Sequence, residues 1–104
     1  MSVGIEWATP AFEKLEGLPE TLAFEIVRRV DLLSTFPEMG VSLHSRYRQL
    51  SNCRQLIVSG SYRVIYEFNS ANSLVYVLEI QHCRQKLPTA SELKRRINQR
   101  DESE

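Results

Sequence analysis

The chain has 104 residues, one domain's worth, and its 13 Lys+Arg balance 13 Asp+Glu to a formal charge of zero. That balance excludes a polybasic tail or a coat that tracks nucleic-acid phosphates over a whole surface. Hydrophobic residues make up 42% and charged residues 25%, the proportions of an ordinary globular domain with a small core. There is no stretch of about 18 apolar residues, and Met1 is followed by Ser2, Gly4 and Glu6 rather than by a basic and then an apolar block. The expectation is one cytosolic domain over residues 1–98, with a polar, frayed tail over 99–104 and no membrane contact.

In chain order, Ile5 to Ala8 reads as a short strand able to join a sheet. Thr9-Pro10 reads as a helix start, with the Thr hydroxyl as cap. Ala11, Leu15 and Leu18 recur at helical spacing, and Gly17 and Pro19 break this first helix. A second helix follows, striped by Leu22, Ile26, Val30 and Leu33 and widened by Ala23, Val27 and Leu32; Phe36-Pro37 and Gly40 end it. So short a connection makes the pair an antiparallel helical hairpin.

From Tyr47 the period becomes 2. Arg54 to Val58 is a strand, and Ser59-Gly60-Ser61 is a hairpin loop. In the next strand Tyr62, Val64, Tyr66 and Phe68 alternate with Arg63, Ile65 and Glu67, so the arginine and glutamate share one face and three aromatic rings the other. Aromatic residues at this period are half of a sheet core. Leu74 to His82, apolar at nearly every position, is a candidate for the centre of an antiparallel meander. Thr89 and Glu92 fit a capping box before a last helix over Leu93 to Asn98. Its Lys94-Arg95-Arg96 run reads as a solvated face. Cys53 and Cys83 lack metal-ligand spacing and are expected as reduced thiols. No metal or other cofactor is expected.

The zero charge is a sum of unlike parts. Residues 1–39 carry three basic and seven acidic side chains, about −4, whereas residues 40–88 carry six basic against Glu67 and Glu79, about +4; residues 89–104 balance at four against four. Two readings of the arginines stand. Arg46, Arg48, Arg54, Arg63 and Arg84, with Lys86, line an anion-binding surface, or they pair with the acids of the helices and are otherwise solvated.

Ser61-Tyr62-Arg63-Val64-Ile65-Tyr66-Glu67-Phe68, followed by Leu78-Glu79-Ile80-Gln81-His82-Cys83-Arg84, resembles the RelE/ParE superfamily of bacterial toxins, which reads Tyr-Arg-Val-Ile-Tyr on one strand and His-x-Arg at the end of the next. The helix from Phe12 to Leu18, the Leu18-Pro19 turn, Phe36-Pro37, Gly40 and Arg54-x-Leu56-x-Val58 agree. The resemblance covers residues 5–88 and implies an α+β fold, β-α-α-β-β-β, with the helical hairpin packed on a small antiparallel sheet and a short C-terminal helix. It implies the toxin half of a type II toxin–antitoxin pair, with a cognate antitoxin protein as partner. The target it implies is the ribosome with its mRNA, cut without a metal, for RelE-like members, or DNA gyrase for ParE-like ones.

For ribonuclease chemistry the resemblance assigns phosphate stabilisation to Arg63 and Arg84. His82 is the candidate for proton exchange, and Glu67 is either a base or the partner of Arg63. Arg48, Arg54 and Lys86 are candidate target or anion contacts. Two departures favour the ParE side: the strand before Tyr62 lacks the lysines of RelE, and residues 88–98 contain no tyrosine. Zero net charge points the same way, because attraction to ribosomal RNA scales with the phosphates neutralised. The alternatives are a RelE-like endoribonuclease and an inert, complex-forming family member.

Overall fold

The computed structural model describes residues 2–50 and 52–102; the last two residues of the expected tail lie outside them. The elements are β1 (Gly4–Trp7), α1 (Thr9–Glu16), α2 (Glu20–Asp31), a 3-10 turn (Leu32–Ser34), β2 (Val41–Ser42), β3 (Cys53–Val58), β4 (Tyr62–Asn69), β5 (Leu74–His82) and α3 (Ala90–Glu102). The strands form one sheet in the order β1-β5-β4-β3-β2. From β2 to β5 the pairing is antiparallel, while β1 joins β5 in parallel, Ile5 opposite Val75 and Trp7 opposite Val77. The sheet is therefore mixed. β5 is flanked on both edges, as its apolar run implies, while β4 holds the middle.

Local signals explain most element ends. Thr9 does not cap α1. It is the helix's first residue, and Ala8 occupies the cap position in extended backbone with no side-chain bond. The reason lies in the sheet: the Ala8 N–H donates to Val77 O at 2.8 Å, so strand pairing runs up to the helix start. At the other end of the chain the expected cap forms, with the Glu92 N–H donating to Thr89 Oγ1 at 3.1 Å. That helix is longer than the stretch from Leu93 to Asn98 suggests, running on to Glu102. Leu32 does not widen the stripe of α2 but is 44% exposed, because the chain tightens there into the 3-10 turn and the 3.6-residue phase is lost. At the β3–β4 loop Ser59 and Gly60 take positive φ, 54° and 70°, the left-handed pair that a tight hairpin requires.

Both faces of the sheet are covered. Leu56, Val58, Val64, Tyr66, Val75, Val77 and Ile80 are buried, with α1 against β5 and α2 against β3. The second face carries Cys53, Ile65 and Gln81. It lies under α3, through buried Leu93, and under the 43–50 segment, through buried Leu43 and Tyr47. Tyr47 ties these covers together by donating its hydroxyl proton to Pro88 O at 2.7 Å. In the β4–β5 register Ile65 opposes Glu79 and Tyr66 opposes Val77, so Leu78 is the extra residue of a bulge. Leu78 is nevertheless fully buried.

Candidate functional site

The hairpin loop and the end of β5 bring the sequence's strongest candidates to one end of the sheet. Tyr62 opposes His82 in the register, and the two half-buried rings meet edge to face with centroids 5.1 Å apart. The chain then turns. The Arg84 N–H donates to His82 Nδ1 at 3.0 Å and the His82 N–H to Gln85 Oε1 at 3.0 Å. Since Nδ1 accepts, the neutral ring carries its proton on Nε2. Arg84 and Lys86 are exposed on this turn.

Arg63 sits on the opposite face of β4 from Tyr62 and reaches the same turn from beneath. Its Nη2 donates to Cys83 O at 2.6 Å and to Gln85 O at 3.5 Å, and its Nε is buried. Glu67 lies four residues along β4, about 13 Å at strand rise. It is opposite Cys53 in the register and close enough for its charge to act on that thiol. Sequence reasoning allowed an Arg63–Glu67 pair; the Arg63 guanidinium is directed to backbone carbonyls instead.

The other expected anion contacts divide. Arg54 Nη1 donates to Gly40 O at 2.8 Å and Glu38 O at 3.2 Å, while Nη2 pairs with Glu38 Oε2 at 3.3 Å. It thus clasps the segment after the helices, which is the pairing alternative. Arg48 is exposed, as is Arg46, whose guanidinium stands 6.0 Å from the Tyr47 ring centroid. In the Lys94-Arg95-Arg96 run, Lys94 and Arg95 are exposed but Arg96 turns inward, donating to Glu79 Oε2 at 2.7 Å and to Leu78 O at 3.3 Å. The sequence reading missed Gln81, whose Nε2 donates to Lys86 O at 3.1 Å. The signal was there: it is the polar residue amid the apolar run of β5.

Burial dominates the site's protonation. It pushes the Cys53 thiol up to about 12, with help from the Glu67 carboxylate. It also raises the Tyr47 phenol, against the opposing hydrogen bond and charge of Arg46, and raises the Tyr66 phenol, against the hydrogen bond from Gly40 and the charge of Arg54. Cys53 and Cys83 are free thiols. Among the described residues no group of three or more His, Cys, Asp or Glu is placed to hold a metal ion, and no helix is long and apolar enough to cross a membrane.

Helices on a small sheet, with a histidine–arginine turn closing its end, define the class as the RelE/ParE toxin fold. Solved structures with this fold include the RelBE2 toxin–antitoxin complex of Mycobacterium tuberculosis (24% identity, 79% of this chain and 99% of that one, TM-score 0.67). A free-state mutant of Escherichia coli RelE superposes equally well (17% identity, 96% and 98%, TM-score 0.67). The intact E. coli RelBE complex follows (14% identity, 81% and 100%, TM-score 0.65). No curated protein sequence matches the chain. A sequence model of the ParE toxin of type II toxin–antitoxin systems, parDE, matches residues 5–87, and the chain belongs to that family.

Proposed function

We propose that this toxin arrests growth by poisoning DNA gyrase and that a cognate antitoxin protein neutralises it. The observation that carries the choice of target is dispersal. A metal-free ribonuclease needs cations, a base and an acid around one phosphate. Here Arg63 is bonded to the Cys83 and Gln85 carbonyls, Arg54 is bonded to Glu38 and Gly40, and Glu67 stands beside Cys53. His82 and Arg84 are left as the pair at the exposed turn. The family match supports the same target, as does a charge that sums to zero.

The antitoxin's role is supported by exposed apolar surface and by relatives solved as toxin–antitoxin complexes. Phe24 is 69% exposed, Phe36 58% and Val41 68%, and a hollow of about 450 Å³ opens between Thr35 and Met39. Apolar rings left in water on so small a domain mark a contact surface.

The test uses two assays on purified protein. Supercoiling by gyrase is expected to fall with added toxin, and Arg84→Ala to weaken this at least tenfold, about 1.4 kcal/mol, the scale of one charge-assisted contact. Codon-positioned cuts in mRNA on translating ribosomes, abolished by Arg84→Ala, would overturn the gyrase reading in favour of RelE-like cleavage. One observation favours that second reading: His82 holds its proton on the nitrogen away from Arg84, beside a free cation.

A further inference from the structure

Arg63 and Gln81 oppose each other directly in the β4–β5 register, and both side chains are spent on the turn that follows β5. Arg63 Nη2 holds the carbonyls of Cys83 and Gln85, and Gln81 Nε2 holds that of Lys86. The turn's own polar groups complete the arrangement, Gln85 Oε1 accepting from the His82 N–H and His82 Nδ1 from the Arg84 N–H. Every residue from His82 to Lys86 is thereby engaged through its backbone, while the Arg84 side chain stays exposed in the middle. Gln81 is only 6% exposed. Arg63 Nε and Gln81 Oε1, a donor and an acceptor on registered neighbours, are buried without a partner. A donor turned inward in this way is closed to a target's phosphate or carboxylate.

We propose that Arg63 and Gln81 are positioning residues that act through Arg84: together they clamp the 82–86 turn so that the Arg84 guanidinium is presented in one place. An exposed turn at a strand end is otherwise free to sample conformers, and its ordering would have to be drawn from target binding. The proposal rests on the reading of Arg84 as a target contact, and it assigns the arginine of β4 to support rather than to contact.

A double-mutant cycle on gyrase inhibition separates the roles, or on mRNA cleavage if that is the activity found. Arg63→Met and Gln81→Leu are each expected to weaken wild-type activity by about tenfold, yet to change the residual activity of an Arg84→Ala protein by less than about twofold, since coupled residues are non-additive. Full multiplicative loss in both backgrounds would mean that Arg63 touches the target itself or merely holds the fold, and would overturn the proposal. Hydrogen exchange on the free toxin is independent of any target. The Arg84 and Gln85 amides should exchange faster in Arg63→Met with β3 amides unchanged, and unaltered exchange at Arg84 would equally overturn it. Should Arg63→Met not fold, Arg63→Lys, which keeps the charge but not the fork that spans two carbonyls, carries both measurements. Full activity in Arg84→Ala would instead sink the reading of the target contact, leaving the exchange result to judge the clamp.

Discussion

Tyr66 carries a hydroxyl into an otherwise apolar core, and both of its hydrogen-bonding roles are filled there. It donates to Pro37 O at 2.8 Å and accepts from the Gly40 N–H at 2.9 Å, so one side chain of the central strand fixes the exit from the helices. Tyr66→Phe strands a buried N–H and a carbonyl and should cost about 1–3 kcal/mol, read as a lower urea midpoint at unchanged slope. The buried thiol and phenols make a second prediction. A thiol ionises near 9 when unfolded, whereas Cys53 is held up to about 12 in the fold. The folded state therefore prefers the proton, and this contribution is fully present below pH 9 and lost as pH rises through 12. Tyr47 and Tyr66, both raised, act in the same direction. Urea midpoints should hold level to about pH 9 and then decline; a midpoint that stays flat to pH 12 would refute the assignment. At neutral pH iodoacetamide should modify half-buried Cys83 and reach Cys53 only after unfolding.

At the scale of elements, what the sequence makes legible is whatever depends on near neighbours. The stripe through Ile26 and Val30, the Thr89 cap and the turn at Ser59-Gly60 are all patterns within a few residues, and each forms. Patterns that depend on a distant partner were not legible. The direction of β1 is set by β5, some 70 residues away. The two-residue β2 has no period to read, and the bulge at Leu78 is hidden inside an apolar run. The inward turn of Arg96 follows from that bulge, since the arginine meets the Leu78 carbonyl and the neighbouring Glu79 carboxylate. This ion pair is 20% and 17% exposed, so removing one partner leaves a largely buried charge. Arg96→Ala should destabilise by about 1.5–3 kcal/mol. Arg95→Ala, one residue earlier and exposed, should stay within about 0.5 kcal/mol. Hydrogen exchange should show α3 opening first in the Arg96 variant, and equal losses from the two substitutions would refute the anchoring role.

On the scale of the whole molecule, the split of charge between an acidic hairpin and an arginine-rich sheet was legible from the sequence, but the destination of each arginine was not. Residue type and alternation put Arg63 on a sheet face, yet only the second cover, Tyr47 and α3, makes that face an interior. Arg54 and Arg96 are taken up by Glu38 and Glu79, so the nominal +4 of residues 40–88 overstates what a target meets. Neutral overall, the molecule has little charge repulsion to keep its exposed Phe24, Phe36 and Val41 apart. An isolated chain of this kind should self-associate near neutral pH, and covering the same rings is the natural task of an antitoxin. Two substitutions test this together. Phe24→Glu and Val41→Lys should raise the monomer fraction in sedimentation at high concentration with little change in melting temperature, since neither side chain is in the core. Both variants should still arrest growth when induced alone, because the turn bearing His82 and Arg84 is untouched. Co-expressed antitoxin should rescue these cells less well than cells carrying the wild-type toxin, with binding weakened about tenfold for each buried ring lost. Undiminished rescue by both variants would place the antitoxin elsewhere on the molecule and leave the apolar surface without that partner.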